Sequence, residues 1–121
     1  MTVLVEKSVT TLEDGIENLL ESAKTDYINR YGDDVNSDVA KTMIDRFNNG
    51  FVVKSGQKYI KIMCENGGSA WAFIVKDDTG KFKKGDILKC AGWNKPATNA
   101  PRGNVLDGMY EISWTGPLYL S

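Results

Sequence analysis

The stretch from Gln57 to Val75 constrains the fold most, because its residues predict two strands folded against each other. β-branched and aromatic residues dominate both halves, and the sequence Glu-Asn-Gly-Gly at residues 65–68 lies between them. Asn and Gly tolerate the positive φ angles that tight hairpin turns need. The half from Ser69 to Val75 carries few polar residues, which indicates a strand covered on both faces. We therefore expect this hairpin to organise the β part of the chain.

Strand alternation also assigns the faces of this hairpin, since successive side chains point to opposite sides. The first strand should place Ile60 and Ile62 on one face. The second should place Trp71, Phe73 and Val75 together on one face.

Upstream of the hairpin, apolar residues recur with a period of about 3.6 and predict a first helix near Leu12–Tyr31. Thr10 or Thr11 is placed to cap it, and Gly32 is placed to end it. Gly15 lies inside this helix and should cost about 1 kcal/mol relative to alanine.

A second helix should follow after a short turn, with Asn36 or Ser37 as its N-cap and residues 48–50 (Asn-Asn-Gly) as its end. The short connection predicts two neighbouring, roughly antiparallel helices. Its buried stripe is expected to contain Val39, Ala40, Met43, Ile44 and Phe47.

These elements predict an α+β fold in one domain, which is the usual outcome for a chain of 121 residues. Residues 1–50 should be mainly helical and residues 51–121 mainly β. We expect the two N-terminal helices to pack on a small, strongly bent antiparallel sheet or SH3-like barrel of five or six strands. Val3–Val9 is either an edge strand or a frayed lead-in.

The composition excludes several kinds of active site. There is no histidine, so Ser-His-Asp and Cys-His catalysis and His-ligated metal sites are excluded. Cys64 and Cys90 are expected to be buried free thiols, or a bridge if their strands are neighbours. We expect no cofactor, no metal and no enzymatic activity. No apolar run is long enough to span a membrane, and the N-terminal residues do not resemble a secretory signal.

Charge is distributed unevenly along the chain. Residues 1–50 hold ten acidic and five basic side chains, whereas residues 51–121 hold six acidic and ten basic ones. Most of the excess positive charge falls between Lys81 and Arg102, close to Trp93. This region defines a candidate binding surface formed by Lys81, Lys83, Lys84, Lys89, Trp93, Lys95, Arg102 and Asn104.

Three interpretations of this surface remain open. Lysines and an exposed Trp93 could bind the phosphates and bases of a nucleic acid. The basic face could instead meet the acidic helical face of another copy, giving a homo-oligomer. The lysines could also simply keep strand edges soluble, with Trp93 plugging the core beneath a loop.

The segment from Gly92 to Gly108 is long for a connection without regular structure, and such loops are often functional. Within it, residues 101–104 (Pro-Arg-Gly-Asn) could aim Arg102 or Asn104 at a ligand from a rigid turn. The apolar residues 118–120 (Leu-Tyr-Leu) are expected to pack on the sheet or on a partner chain.

Three segments of the C-terminal third carry a resemblance: residues 84–88 (Lys-Gly-Asp-Ile-Leu), 100–104 (Ala-Pro-Arg-Gly-Asn) and 114–120 (Trp-Thr-Gly-Pro-Leu-Tyr-Leu). By these the chain resembles small uncharacterised proteins of marine T4-like phages that infect cyanobacteria. The resemblance implies a viral origin. It also implies a structural or accessory role rather than metabolism. The location stays open: we expect a chain that is not secreted, which agrees with either the host cytoplasm or the virion.

The sequence therefore favours a non-enzymatic binding or assembly module that forms a homo-oligomer. Nucleic-acid binding through the basic face is the alternative.

Overall fold

The computed structural model describes residues 2–118. Its regular elements in chain order are β1 (Val3–Val5), α1 (Leu12–Asn29), a 3₁₀ helix (Gly32–Asn36), α2 (Asp38–Asn49), β2 (Val52–Ser55), β3 (Tyr59–Cys64), a 3₁₀ turn (Glu65–Gly67), β4 (Ser69–Val75), β5 (Ile87–Leu88), β6 (Cys90–Gly92), β7 (Lys95–Pro96) and β8 (Tyr110–Ile112).

The α+β class is confirmed, but the strands do not close into a barrel. They form a four-stranded antiparallel sheet in the order β2-β3-β4-β5 and two separate pairs, β1-β8 and β6-β7. The expected edge strand is β1. It pairs with β8 instead of joining the central sheet. This short second sheet packs against α1 through Val5 and Ile112.

Both helices begin at the predicted caps. The Thr11 side chain accepts a hydrogen bond from the backbone N–H of Asp14, and the Ser37 side chain accepts one from that of Ala40. The first helix ends at Asn29, two residues before the predicted Tyr31, and Gly32 follows with a φ of +54°.

The α2 stripe was only partly predicted. Ala40 is buried, but the Val39 side chain is 73% exposed and Met43 is also exposed. The reason is that α2 packs on α1 and on the turn after β3, so only one narrow side of this helix is covered.

The β3–β4 hairpin is confirmed, with one correction to its faces. Ala72 pairs with Ile62 and Ala70 pairs with Met63, so Trp71 is an extra residue in β4. This β-bulge turns the Trp71 side chain into the core under α1, away from the face that carries Phe73.

The central sheet is covered on both faces, as its apolar β4 strand predicted. On one face Ile62, Ala72 and Ile74 pack against α1. On the other face lies a second cluster formed by Phe73, Val75, Phe82 and Leu88. The loop that leads into β5 supplies Phe82, so this loop is the cover for that face.

The segment from Gly92 to Gly108 has more structure than predicted. Its first part contributes to the β6–β7 hairpin, and its second part runs beside β5, where Asn104 forms an isolated antiparallel bridge with Asp86. Ile87 donates its backbone N–H to Gly103 at 2.8 Å, and Arg102 donates to Ile87 at 2.7 Å. Of the apolar end, Leu118 is half-buried, while Tyr119 and Leu120 lie outside the described residues.

Cys64 and Cys90 are free and half-buried. Burial raises the pKa of both thiols, which keeps them protonated and poorly nucleophilic at neutral pH.

Tyr110 gives a pH prediction, because its hydroxyl is buried without a hydrogen-bond partner among residues 2–118. Burial raises the pKa of Tyr110 above its usual value of about 10. The unfolded chain therefore loses this proton first, and the free energy of unfolding should fall as pH rises above about 10. Tyr110→Phe should make this decline shallower in denaturant titrations, with no loss of stability at pH 7. An equally steep decline in the variant would contradict this assignment.

Candidate binding surfaces

The β6–β7 hairpin carries an exposed tryptophan at its tip. Trp93 is 49% exposed, so it is not the core plug that one interpretation required. The Lys61 Nζ lies 3.6 Å from the centre of the indole ring and donates a hydrogen bond to the Asn94 Oδ1 at 2.9 Å. Such a cation–π contact at an exposed site contributes about 0.5–1 kcal/mol. The ring is therefore held in place, with part of its surface open to solvent.

Lys61 belongs to this tip, although the sequence did not suggest it. It stands opposite Phe73 in the β3–β4 pairing, on the face away from α1. Lys95 is exposed on the same hairpin as Trp93. We call the set Lys61, Trp93, Asn94 and Lys95 the hairpin tip.

The other predicted lysines lie elsewhere. Lys81, Lys83 and Lys84 are exposed in the turn before β5. In this turn Gly85 donates its backbone N–H to the carbonyl of Val75, the last residue of β4. The backbone N–H of Lys84 is bound by Asp78.

Lys89 and Arg102 form a third group. Lys89 is half-buried and donates to the Pro117 carbonyl at 2.8 Å, and Arg102 donates to the Ala100 carbonyl at 2.7 Å. Burial lowers the pKa of Lys89, and the nearby Arg102 charge lowers it further. The predicted basic face is thus divided among three places.

Asn104 is a structural residue. Its side chain is buried and donates to the Lys84 carbonyl and to Asp86, each at 2.9 Å. Its Oδ1 accepts from the backbone N–H groups of Leu106 and Asp107. With its hydrogen-bonding groups engaged, it holds the turn before β5 to the segment after Gly103.

A groove runs between α1 and the edge strand β2. Its volume is about 500 Å³, and its apolar floor includes Leu20, Val53 and Ile60. Glu13, Glu17 and Glu21 line it at four-residue spacing on α1, where neighbouring like charges repel. The structure gives Lys24 as a partner for Glu21, at 3.4 Å. We call this feature the acidic groove.

A second cleft was missed by sequence reasoning. It has a volume of about 630 Å³ and lies among α1, α2, the turn after β3 and the turn after β8. Its lining includes Tyr27, Arg30, Met43, Arg46, Phe47, Glu65, Trp71 and Trp114. We call it the aromatic cleft. The clustering of Tyr27, Arg30 and Tyr31 around the end of α1 was a visible signal, but nothing local joined it to Trp114.

No helix among residues 2–118 is long and apolar enough to cross a membrane. A family model described as a family of unknown function, DUF7717, matches residues 4–120. The chain belongs to that family. No curated protein and no solved structure matches it.

The match to DUF7717 extends over the hairpin tip, the acidic groove and the aromatic cleft. All three surfaces therefore belong to the family's region of the chain, and none lies in an appended segment.

Proposed function

We propose that this chain is a non-enzymatic assembly module, in which the hairpin tip of one copy binds the acidic groove of another. The observation that carries the proposal is the exposed Trp93 ring with Lys61 packed on it. Tryptophan is among the residues most enriched at the few positions that carry most of the binding energy of protein interfaces.

The acidic groove complements this anchor in shape and charge. Its apolar floor can receive an indole ring, and Glu13 and Glu17 can meet Lys61 and Lys95. Binding would also relieve the repulsion along the glutamate row. Opposite charges on the two surfaces speed and orient association.

Tip and groove are different surfaces of one chain, so the contact is heterologous. Such contacts give a closed ring when the rotation that relates successive copies returns to the first copy, and an open chain of copies when it does not. We therefore expect a mass above the 13.4 kDa monomer that increases with concentration in light scattering. A monomeric mass at every concentration would contradict the proposal.

The Trp93→Ala variant should weaken self-association about 30-fold, because removing a central aromatic anchor costs about 2 kcal/mol. Met109→Ala is the matched control, since Met109 is exposed but lies on neither surface. Sedimentation velocity over a concentration series measures both variants. Equal weakening by the two substitutions would argue against a specific role for the tip.

Nucleic-acid binding through the hairpin tip is the second candidate, favoured by the same exposed ring. The affinity of the protein for a fluorescent single-stranded oligonucleotide should fall steeply as the salt concentration rises from about 0.05 M to about 0.2 M. Lys95→Glu should weaken that binding strongly, whereas Lys83→Glu, outside the hairpin tip, should weaken it less. Absence of binding at low salt would end this candidate.

A role in a phage particle, or as a phage accessory protein, is the biological setting we propose. It is supported by the resemblance of the C-terminal third. Detection of the chain by mass spectrometry in purified particles would distinguish a structural component from an accessory protein of the infected cell.

A further inference from the structure

The aromatic cleft has a rigid apolar interior. The Tyr27 and Phe47 rings stack with their centres 4.3 Å apart and their planes 11° apart, and the Trp114 ring meets Tyr27 edge-on at 5.2 Å. Trp71 donates its indole N–H to the Trp114 carbonyl at 3.0 Å. The buried Asp26 accepts the Trp114 backbone N–H at 2.8 Å. These bonds fix the walls before any partner arrives.

Two guanidinium groups stand at this cleft. Arg30 lies 4.8 Å from the Trp114 ring centre and 5.2 Å from that of Tyr27, and it also contacts the Tyr31 hydroxyl. Arg46 lines the cleft from α2. An arginine that stacks on aromatic rings keeps its N–H edge available for a carboxylate.

One acidic residue, Glu65, also lines the cleft, from the turn after β3. Its φ of 54° places it in a left-handed conformation at the start of that turn. A bound anion would be attracted to the two arginines and repelled by Glu65. A carboxylate that binds the arginines must therefore do so against repulsion from Glu65.

The apolar surface continues beyond the cleft along α2. Val39, Met43 and Arg46 lie within two turns of one side of this helix, and the first two are exposed. Met43 lines the cleft itself. A small molecule would cover the cleft alone, whereas an extended peptide segment would also cover the exposed Val39 and Met43 on α2.

We infer that the aromatic cleft, together with the exposed Val39 and Met43 on α2, binds a segment of a partner protein that carries an aromatic or large apolar side chain next to carboxylates. The apolar side chain would enter between Trp114 and Met43. The carboxylates would pair with Arg30 and Arg46. Trp, Tyr and Arg are the residues most enriched at the centres of protein interfaces.

The experiment is a selection of peptides from a random display library on the full chain, followed by fluorescence anisotropy with the enriched peptide. We expect enriched peptides that combine an aromatic residue with Asp or Glu. Arg46→Glu should weaken binding about 30-fold, and Glu65→Gln should strengthen it a few-fold. Lys41→Glu is the matched control on α2, because Lys41 does not line the cleft.

Arg46→Gln serves as a milder variant if a negative charge near the end of α2 unfolds the chain, and circular dichroism checks each fold. Arg46→Gln should weaken binding less than Arg46→Glu does. The inference is overturned by selected peptides without acidic residues, by an affinity that Arg46→Gln leaves unchanged, or by failure to enrich any peptide. Equal affinity for N-acetyl-tryptophan alone would overturn the assignment to a protein segment. Trp93→Ala should leave peptide binding unchanged, so this result is independent of self-assembly.

Discussion

Replacing Asn104 with alanine is expected to lower the free energy of unfolding by about 3 kcal/mol. The residue is 8% exposed and makes four hydrogen bonds that connect the turn before β5 to the segment after Gly103. The substitution leaves the buried Asp86 Oδ1 without this partner, and it also removes the part-buried hydrogen bonds to the Lys84 carbonyl and the Leu106 N–H. Urea titration followed by tryptophan fluorescence measures the loss.

Asn99→Ala is the control for this prediction, because Asn99 is an exposed asparagine of the same irregular segment. It should change the free energy of unfolding by less than about 0.5 kcal/mol. A stable Asn104→Ala variant with altered ligand binding would instead restore Asn104 to the binding role that the sequence suggested.

Replacing Gly15 with alanine should destabilise the protein by up to about 2 kcal/mol. Helix propensity alone predicts a gain of about 1 kcal/mol. The structure reverses this sign, because a Cβ atom at Gly15 would lie 2.7 Å from the Val105 carbonyl oxygen and 2.9 Å from its Cβ. Overpacking of this kind costs about 1–3 kcal/mol, and here the contact includes rigid backbone.

Thermal unfolding of Gly15→Ala beside Gly80→Ala tests this argument. No atom lies within 4 Å of the position that a Cβ would occupy at Gly80, so that variant should unfold near the wild-type temperature. A higher melting temperature for Gly15→Ala would show that α1 can move away from Val105 at little cost.

Local signals predicted the elements well. Thr11 and Ser37 cap their helices because short oxygen-bearing side chains bind the free N–H groups of a first turn. The change of period after residue 50 marks the start of the sheet. The β4 strand is covered on both faces because its sequence carries few polar residues.

Long-range packing could not be predicted in the same way. The position of Trp71 depends on one extra residue in β4, which alternation cannot reveal. Val39 is exposed because α2 lies beside α1, and periodicity does not tell how wide a covered stripe is. A strongly bent sheet or an SH3-like barrel was expected. Turn signals do not specify which strands pair, so they could not show that β8 pairs with β1 in a separate sheet instead of closing a barrel.

The candidate site was predicted in part. Composition identified Trp93 and Lys95, but it could not separate them from Asn104, whose amide is used within the fold. Lys61 lies 33 positions from Asn94, and Asp26 lies 88 positions from Trp114. Contacts across such separations exist only once the chain has folded, so both the hairpin tip and the aromatic cleft required the structure.

Mixing two complementary variants tests self-assembly most directly. Trp93→Ala removes the aromatic anchor of the hairpin tip and leaves the acidic groove intact. Glu17→Lys reverses a charge in the acidic groove and leaves the hairpin tip intact. At a concentration just sufficient to assemble the wild type, each variant alone should be monomeric in light scattering. The equimolar mixture should form a heterodimer of twice the 13.4 kDa monomer mass and nothing larger, because only one tip–groove contact remains. A mixture that stays monomeric while the wild type assembles would contradict the tip–groove contact.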